Sequence, residues 1–259
     1  MNELSLRLLG TGTSQGVPVI GCDCAVCTST DPRDRRLRTS ALVRRGATNL
    51  VIDTGPDFRE QMLAARPDSL TGVLYTHEHA DHVAGLDDVR PFVFRQRSSV
   101  DLYGNERTLG EIRRRFDYAF SPNPYPGAPR LNTHILHPGR AARLGEIEFT
   151  PLALFHGDLP ILGYHFGDIA YLTDVKTLPP ATYEALRGID TLVLDALHHY
   201  PHHSHLNLEE ALAEVEKIKP RRTVFVHASH YMGRYAEVQA GLPPGVELGY
   251  DGMTLKAGE

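Results

Sequence analysis

The sequence predicts a mixed α/β fold in which one domain, residues 1–259, packs two sheets against each other between flanking helices. Short apolar runs recur along the chain, and most of them end in a turn that carries a histidine or an aspartate. Amphipathic helical patterns lie between these runs, and no low-complexity linker separates the two halves. Because potential ligands come from both halves, one shared core is favoured over two small domains.

Local patterns predict the elements in chain order. The first half is predicted to contain a strand, a hairpin, a helix, a buried strand and an amphipathic helix, at residues 4–9, 40–44 with 49–53, 57–65, 72–75 and 87–95. Residues 121–131 are rich in proline and are predicted to form an ordered loop. The second half is predicted to contain four strands and one helix, at residues 146–154, 169–173, 192–194, 223–226 and, for the helix, 207–217.

The densest group of potential ligands follows the buried strand at residues 72–75. His77, His79, Asp81 and His82 place three imidazoles and a carboxylate within six residues. Imidazole nitrogen suits zinc, iron and manganese, and a carboxylate can bridge two ions. One helical turn could not present all four side chains together, so this cluster predicts ligands for two neighbouring metals.

Three further potential ligands lie at the ends of later predicted strands. They are His156, Asp174 and His227. A single histidine is more often structural, but these residues repeat the strand-end placement of the first cluster, which favours a shared metal site. Asp53 ends the second strand of the hairpin and is predicted to cap a turn or to support a ligand.

All three cysteines of the chain, Cys22, Cys24 and Cys27, lie within one short segment. An odd number of closely spaced thiols suits metal binding in a reducing compartment better than a disulfide framework. Three thiolates need one more ligand to close a tetrahedral structural zinc site. His230, three residues after His227, is the predicted fourth ligand.

Composition and charge restrict the class of partner. The formal net charge is −5 and the pI is about 6.3, which argues against a general binder of nucleic acid or of anionic membranes. No signal segment or run of eighteen apolar residues is present in the sequence, so a cytoplasmic location and a small substrate are expected. The arginines of residues 33–38 are predicted to form a solvated face.

Four motifs together resemble the metallo-β-lactamase superfamily. They are Gly-Thr-Gly-Thr-Ser-Gln-Gly-Val-Pro at residues 10–18, the Gly-Cys-Asp-Cys-Ala-Val-Cys segment, the His-x-His-x-Asp-His cluster and His-Ala-Ser-His at residues 227–230. Within that superfamily the chain is similar to the phosphoribosyl cyclic phosphate phosphodiesterases, from about Leu6 to Met253. The resemblance implies a four-layered αββα sandwich with its metal site at the edges of the sheets.

The resemblance also implies how the ligands divide between two divalent metals, Zn²⁺ or Mn²⁺. One metal would be held by His77, His79 and His156, the other by Asp81, His82 and His227, with Asp174 bridging, and a structural Zn²⁺ would lie at Cys22, Cys24, Cys27 and His230. The implied reaction is the opening of a small cyclic phosphodiester, such as 5-phosphoribosyl 1,2-cyclic phosphate, by a metal-bridging hydroxide. The implied general acid is a histidine that precedes a Leu-Asn helix start. His203 aligns with it, and the nearby His205 is a second candidate.

Two other functions stay open from the sequence. A tRNA 3′-processing endoribonuclease shares this superfamily, although it should carry a basic RNA-binding arm that this chain lacks. A non-hydrolytic accessory protein of quinone-cofactor biosynthesis would share the three-cysteine motif, although it should lack part of the catalytic ligand set. The sequence leaves homodimer formation open.

Overall fold

The computed structural model describes residues 3–258, and within them the chain forms fourteen strands and seven α-helices. The strands are β1 Ser5–Gly10, β2 Ser40–Arg45, β3 Thr48–Ile52, β4 Gly72–Leu74, β5 Val100–Gly104, β6 Leu131–Ile135, β7 Ala142–Leu144, β8 Ile147–His156, β9 Leu159–Phe166, β10 Ile169–Leu172, β11 Thr191–Asp195, β12 Arg222–Val226, β13 Val246–Leu248 and β14 Thr254–Lys256. The α-helices are α1 Phe58–Ala65, α2 Ala80–Val83, α3 Arg90–Gln96, α4 Glu106–Arg115, α5 Pro180–Ala185, α6 Leu208–Ile218 and α7 Tyr235–Gly241.

The strands form two seven-stranded sheets, with the orders β14-β1-β2-β3-β4-β5-β6 and β13-β12-β11-β10-β9-β8-β7. Strands β3 to β6 run parallel in the first sheet, and β10 to β13 run parallel in the second. Parallel neighbours end at the same edge of a sheet, so the residues that follow β3, β4, β10, β11 and β12 gather along two edges. Backbone bonds from Ala228 N–H to Thr11 O (2.9 Å) and from Leu162 N–H to Thr76 O (3.0 Å) join these edges.

Three hydrophobic layers confirm the predicted αββα sandwich. Leu6, Ile52 and Tyr164 belong to the central layer between the sheets. On the outer side of the first sheet, residues of that sheet pack with α1, α3 and α4, as Phe58 does. On the outer side of the second sheet, residues of that sheet pack with α6 and α7, as Ala211 does. Each sheet therefore buries both faces, and the molecule has four layers.

The structure differs from the predicted elements in two places that affect the site. β8 continues through His156, because β9 pairs with it from Thr150 opposite His165 to His156 opposite Leu159. The pattern did not predict β9, whose sequence contains Pro160 and Gly163. The glycine is required there, because a Cβ at that position would lie 2.6 Å from a methyl carbon of Leu172.

The prediction that the arginines of residues 33–38 form a solvated face is wrong for Arg36. Arg36 is 4% exposed, and its Nη1 donates to Thr11 Oγ1 (2.9 Å) and to Gly249 O (2.6 Å). This buried guanidinium ties the loop after β1 to the segment after β13. Arg33 does lie at the surface, where it pairs with Asp31. The predicted loop at residues 121–131 is confirmed up to residue 130, because β6 begins at Leu131.

Candidate metal centre

The first group of predicted ligands lies where the loop after β4 meets the end of β8. Donor atoms of His77, His79 and His156 are all within 4.8 Å of one another. His77 is buried, whereas His79 is exposed and marks the mouth of the site. Burial lowers the pKa of His77 well below its usual value and lowers the pKa of His156 to about 4. Both rings are therefore neutral near pH 7, which is the form that binds a metal.

The second group lies beside the first and contains Asp81, His82, Asp174 and His227. His82 Nε2 is 3.3 Å from Asp81 Oδ2 and 3.4 Å from Asp174 Oδ1, and His227 Nε2 is 3.0 Å from Asp174 Oδ1. Two ligand atoms that are each about 2.1 Å from one ion lie about 3.0–3.4 Å apart in octahedral or tetrahedral geometry. The separations therefore fit a shared cation.

Buried nitrogen atoms without hydrogen bonds give a second test of the fit. Nε2 of His77, of His82 and of His227 is buried and makes no hydrogen bond among residues 3–258. Such atoms carry a desolvation cost unless they bind something, and a metal ion is the partner that imidazole nitrogen prefers at a carboxylate-rich site. The residues present therefore fit two divalent cations.

Asp174 lies between the two groups. Its carboxylate is within 4.8 Å of the second group and also of the donor atoms of His156 and His205. Burial raises the pKa of Asp174, but the imidazoles of His227 and His82 outweigh burial and hold the pKa well below its usual range. An ionised carboxylate in this central position is suited to contact both cations.

The backbone at three strand ends adopts a left-handed conformation that turns the side chains into the site. Asp53 has a φ of 62°, Asp174 of 57° and His227 of 61°. This region is costly for residues other than glycine and is often retained where function requires it. Gly55 allows close packing beside them, because a Cβ there would lie 2.1 Å from the carbonyl oxygen of Asp81.

Asp53 contacts the predicted metal ligands and belongs to neither donor group. Its Oδ1 accepts from Thr76 N–H (2.8 Å), and its Oδ2 accepts from the Thr76 hydroxyl (2.7 Å) and from His82 Nδ1 (2.7 Å). Burial raises the pKa of Asp53, and the adjacent His82 and Thr76 act against this shift. Nδ1 of His82 is bound to the Asp53 carboxylate, so Nε2 is the ring nitrogen that faces the second group.

The structure separates the two candidate proton donors. His205 is 8% exposed, and its ring lies 4.6 Å from that of His227 and 4.5 Å from that of His156. His203 is exposed, with its ring against His202 at 4.4 Å. Burial, together with the imidazole of His227, lowers the pKa of His205 to about 3. The structure therefore brings His205, and not His203, into contact with the metal centre.

Asp195 is a site residue that sequence reasoning missed. Its Oδ2 accepts from His205 Nδ1 at 3.0 Å, and its Oδ1 is 3.6 Å from His227 Nδ1. The carboxylate is completely buried at the end of β11. The sequence did contain a signal for Asp195, because an aspartate at the end of a predicted strand repeats the placement of Asp174.

The cysteine segment forms a compact group of donors with the predicted fourth ligand. The Sγ atoms of Cys22, Cys24 and Cys27 lie 3.3, 3.5 and 3.5 Å from His230 Nδ1. A tetrahedral zinc with Zn–S of about 2.3 Å and Zn–N of about 2.0 Å places sulfur and nitrogen about 3.5 Å apart. The four residues therefore have the spacing of a closed structural zinc site.

The fold and the site together define the class of protein, which is a hydrolase domain of the metallo-β-lactamase fold. No helix in the part of the chain that the structure describes is both long and apolar enough to cross a membrane. The family model described as "Beta-lactamase superfamily domain" matches residues 48–228. The chain belongs to this family, as its motifs predicted.

Comparison with individual proteins adds detail. The chain is 44% identical to a crystal structure described as a new diphosphatase from the PhnP family, with a TM-score of 0.91, and the match covers 98% of this chain and 97% of that one. It is 42% identical over 248 residues to an octanoyltransferase from Porphyromonas gingivalis, covering 95% of this chain but 50% of that protein. The chain thus spans about half the length of that relative.

A third comparison concerns the fold alone. Zn²⁺-bound PqqB from Methylobacterium extorquens has a TM-score of 0.77 at 19% identity, and the match covers 97% of this chain and 99% of that one. The expectation of an enzyme of this superfamily is confirmed at the level of class by the family match and by the diphosphatase.

Proposed function

We propose that the chain is a binuclear metal-dependent phosphodiesterase that cleaves a small phosphodiester, of which 5-phosphoribosyl 1,2-cyclic phosphate is a representative. The observation that carries this proposal is the pair of adjacent donor groups, in which buried imidazole nitrogens face carboxylate oxygens at 3.0–3.4 Å without hydrogen-bond partners. Similarity over nearly the whole chain to a diphosphatase supports phosphorus as the attacked atom.

The proposed ligand sets are those that the resemblance implied. His77, His79 and His156 would hold one cation, and Asp81, His82 and His227 the other, with Asp174 between them. Two divalent cations bound there supply a nucleophile from water near neutral pH and neutralise charge on the phosphorus. A third cation, Zn²⁺, is proposed at Cys22, Cys24, Cys27 and His230, where a closed thiolate site stabilises the fold.

We assign the proton transfer to His205. Asp195 accepts from Nδ1 of this ring, which fixes the ring orientation and leaves Nε2 without a partner among residues 3–258. Burial lowers the pKa of His205 to about 3, but an anionic phosphate beside the ring acts in the opposite direction and favours the protonated form. His205 is thus placed to donate a proton to the leaving oxygen, and Asp195 positions it.

A second candidate function is hydrolysis of a diphosphate, which the similar diphosphatase favours. The attacked atom and the ligands would be the same, and only the leaving group would change from an alcohol to a phosphate. RNA cleavage is less supported, because the chain has a net charge of −5. A non-hydrolytic role is less supported, because both donor groups are complete.

A substrate panel with matched variants tests the proposal. Protein loaded with Mn²⁺ or Zn²⁺ is assayed with bis(p-nitrophenyl) phosphate, a five-membered cyclic phosphodiester, a diphosphate ester and a structured RNA. We expect turnover of the diesters, and nearly complete loss in His79→Ala and Asp81→Ala. His137→Ala is the control, because this histidine is exposed and lies outside both donor groups. Substantial turnover in both ligand variants would exclude the binuclear mechanism.

A further inference from the structure

A small cleft, lined in part by the proposed zinc ligand His230, has no role in the chemistry described above. It has a volume of about 160 Å³ and is lined by Thr13, Ser14, Gln15, His198, Ser229 and Tyr231, among others. We propose that this cleft, here called the ring cleft, binds the base of a nucleoside substrate while the reacting phosphate lies at the metal centre. The inference rests on the proposed function and points, within the small phosphodiesters, to nucleoside phosphodiesters or nucleoside diphosphate esters in place of the base-free 5-phosphoribosyl 1,2-cyclic phosphate.

The ring cleft adjoins the metal centre through the backbone. Ser229 lies two residues after His227, and the N–H of Thr13 donates to Ala228 O (3.3 Å), directly after that metal ligand. The N–H of Ser229 donates to Leu197 O (2.9 Å), two residues after Asp195. The walls of the cleft are therefore continuous with the two strand ends that carry His227 and Asp195.

A series of rings leads from the metal centre to the cleft. The ring centroid of His202 is 5.1 Å from that of His205 and 5.9 Å from that of His198. His198 in turn lies 6.3 Å from the ring of Tyr231, which packs against His230 at 4.1 Å. Two ring-to-ring steps separate His198 from the proposed proton donor, a gap that the sugar and phosphate of a nucleotide can span.

The tyrosine rings at the outer end of this series are largely exposed. Tyr231 is 62% exposed, and Tyr200, whose ring lies 5.7 Å from that of His198, is 63% exposed. Both rings are therefore accessible to a ligand that enters from solvent. Nucleobases stack on tyrosine and histidine side chains, and one such contact strengthens binding by about tenfold.

The opposite wall of the cleft is polar and uncharged. The side chains of Ser14 and Gln15 are exposed and make no hydrogen bond with other residues in the range 3–258. The amide of Gln15 offers both a donor and an acceptor, which matches the mixed edge of a base. No lysine or arginine lines the cleft among the described residues, so a second phosphate group is a poorer occupant than a neutral heterocycle.

The volume also limits the occupant. A pocket that encloses an entire drug-sized ligand has a volume of about 300–1,000 Å³. The ring cleft, with about 160 Å³, can therefore accept one ring system but not a whole nucleotide. A larger cavity of about 590 Å³ is lined by Leu4, Arg45 and Phe166, at the ends of the strands remote from the metal ligands. The size and location of the ring cleft therefore suit a base attached to a reacting phosphate.

The test compares substrates that share one reacting group. Metal-loaded protein is assayed with the p-nitrophenyl esters of adenosine 5′-monophosphate and thymidine 5′-monophosphate, and with methyl p-nitrophenyl phosphate. We expect kcat/KM for at least one nucleoside ester to exceed that of the methyl ester by about tenfold or more, within the range that stacking supplies. Tyr231→Ala should reduce this ratio about tenfold through KM, and Tyr231→Phe should retain it.

A second pair of variants controls for indirect effects of Tyr231→Ala, which could disturb the neighbouring His230. His198→Ala should also reduce the ratio of kcat/KM between nucleoside and methyl esters, without replacing a residue next to His230 in the sequence. Tyr125→Ala is the matched control, because Tyr125 is 48% exposed and lies in the proline-rich loop away from the cleft. Equal kcat/KM for nucleoside and methyl esters in the parent, or an unchanged ratio in both cleft variants, would overturn the base site while leaving the phosphodiesterase proposal intact.

A binding measurement separates the two proposals if no ester is hydrolysed. That outcome would reject the proposed function, and the cleft is then tested with 2-aminopurine riboside 5′-monophosphate, whose fluorescence is quenched on stacking. Quenching by the parent and by Tyr231→Phe, but not by Tyr231→Ala, supports the base site. Absence of quenching by the metal-loaded parent overturns it.

Discussion

Replacing Asp53 with asparagine tests how the fold controls the chemistry of His82, a proposed metal ligand. Asparagine has the shape of aspartate, but one of its two oxygens becomes an amino group that can only donate. In the parent, Oδ2 of Asp53 accepts from His82 Nδ1 at 2.7 Å. An amide N–H in that position requires an unprotonated Nδ1, so His82 would carry its proton on Nε2, the atom that faces Asp81 and Asp174.

The expected effect differs between metal affinity and stability. Loss of a carboxylate that orients a metal-binding histidine lowers affinity about 10–100-fold, which corresponds to about 1.4–2.8 kcal/mol. Stability should fall by only about 1–2 kcal/mol, because the asparagine oxygen still accepts from Thr76 N–H and the Thr76 hydroxyl can turn to accept from the amide. Asp53→Ala should instead cost several kcal/mol, because it leaves three buried donors unpaired.

Titration calorimetry with Mn²⁺ measures this effect at the nitrogen and oxygen ligands, because thiolates do not favour Mn²⁺. Urea unfolding of protein held in chelator gives the stability of each variant. Asp88→Asn is the control, because this aspartate is exposed and lies outside the donor groups. Unchanged Mn²⁺ affinity in Asp53→Asn would refute the tautomer argument, and a stability loss as large as that of Asp53→Ala would refute the predicted repair of the hydrogen bonds.

Three further predictions concern other parts of the molecule. His230→Ala should lose the zinc that the parent retains after mild chelation and should unfold at a lower temperature, as metal analysis and calorimetry can show; equal zinc retention would assign the fourth ligand elsewhere. His205→Ala should lower kcat about 10²–10⁴-fold in the diester assay and His203→Ala by less than about threefold, and the reverse order would contradict the assignment. Burial raises the pKa of Asp251 to about 6, above the value of about 3.9 in an unfolded chain. Its contribution to stability is therefore greatest below about pH 4 and is lost as the pH rises through about 6. Asp251→Asn should remove a decline of about 3 kcal/mol in the free energy of unfolding over this pH range, as urea unfolding can show, and an identical profile would contradict this.

The sequence by itself determined the chemistry of the site, because that chemistry lies in residue types at short spacing. His77, His79 and Asp81 could be predicted as ligands from their own segment. The cysteine segment could be identified in the same way, since three thiolates within six residues have few other uses. Alternating strand and helix patterns, with a ligand after most strands, also predicted the two-sheet architecture without any long-range information.

Only the tertiary structure decided which of several similar residues reach the site. His203 and His205 lie in the same irregular segment, and no periodicity there indicates the direction of a side chain. Backbone bonds from Leu206 N–H to Val175 O and from Leu197 N–H to Leu206 O draw His205 toward the strand ends. The same long-range pairing places the Asp195 carboxylate against this ring, at 3.0 Å.

The burial of Arg36 and the pairing of β9 with β8 were decided in the same way. Arg36 lies in a run of arginines that resembles a solvated face, yet its partners, Thr11 and Gly249, come from opposite ends of the chain. β9 contains a proline and a glycine that weaken any local strand pattern, and its stability comes from a neighbouring strand. Local sequence carries propensity and side-chain chemistry, whereas burial and orientation depend on contacts between residues far apart in the chain, which form only when the sheets pack.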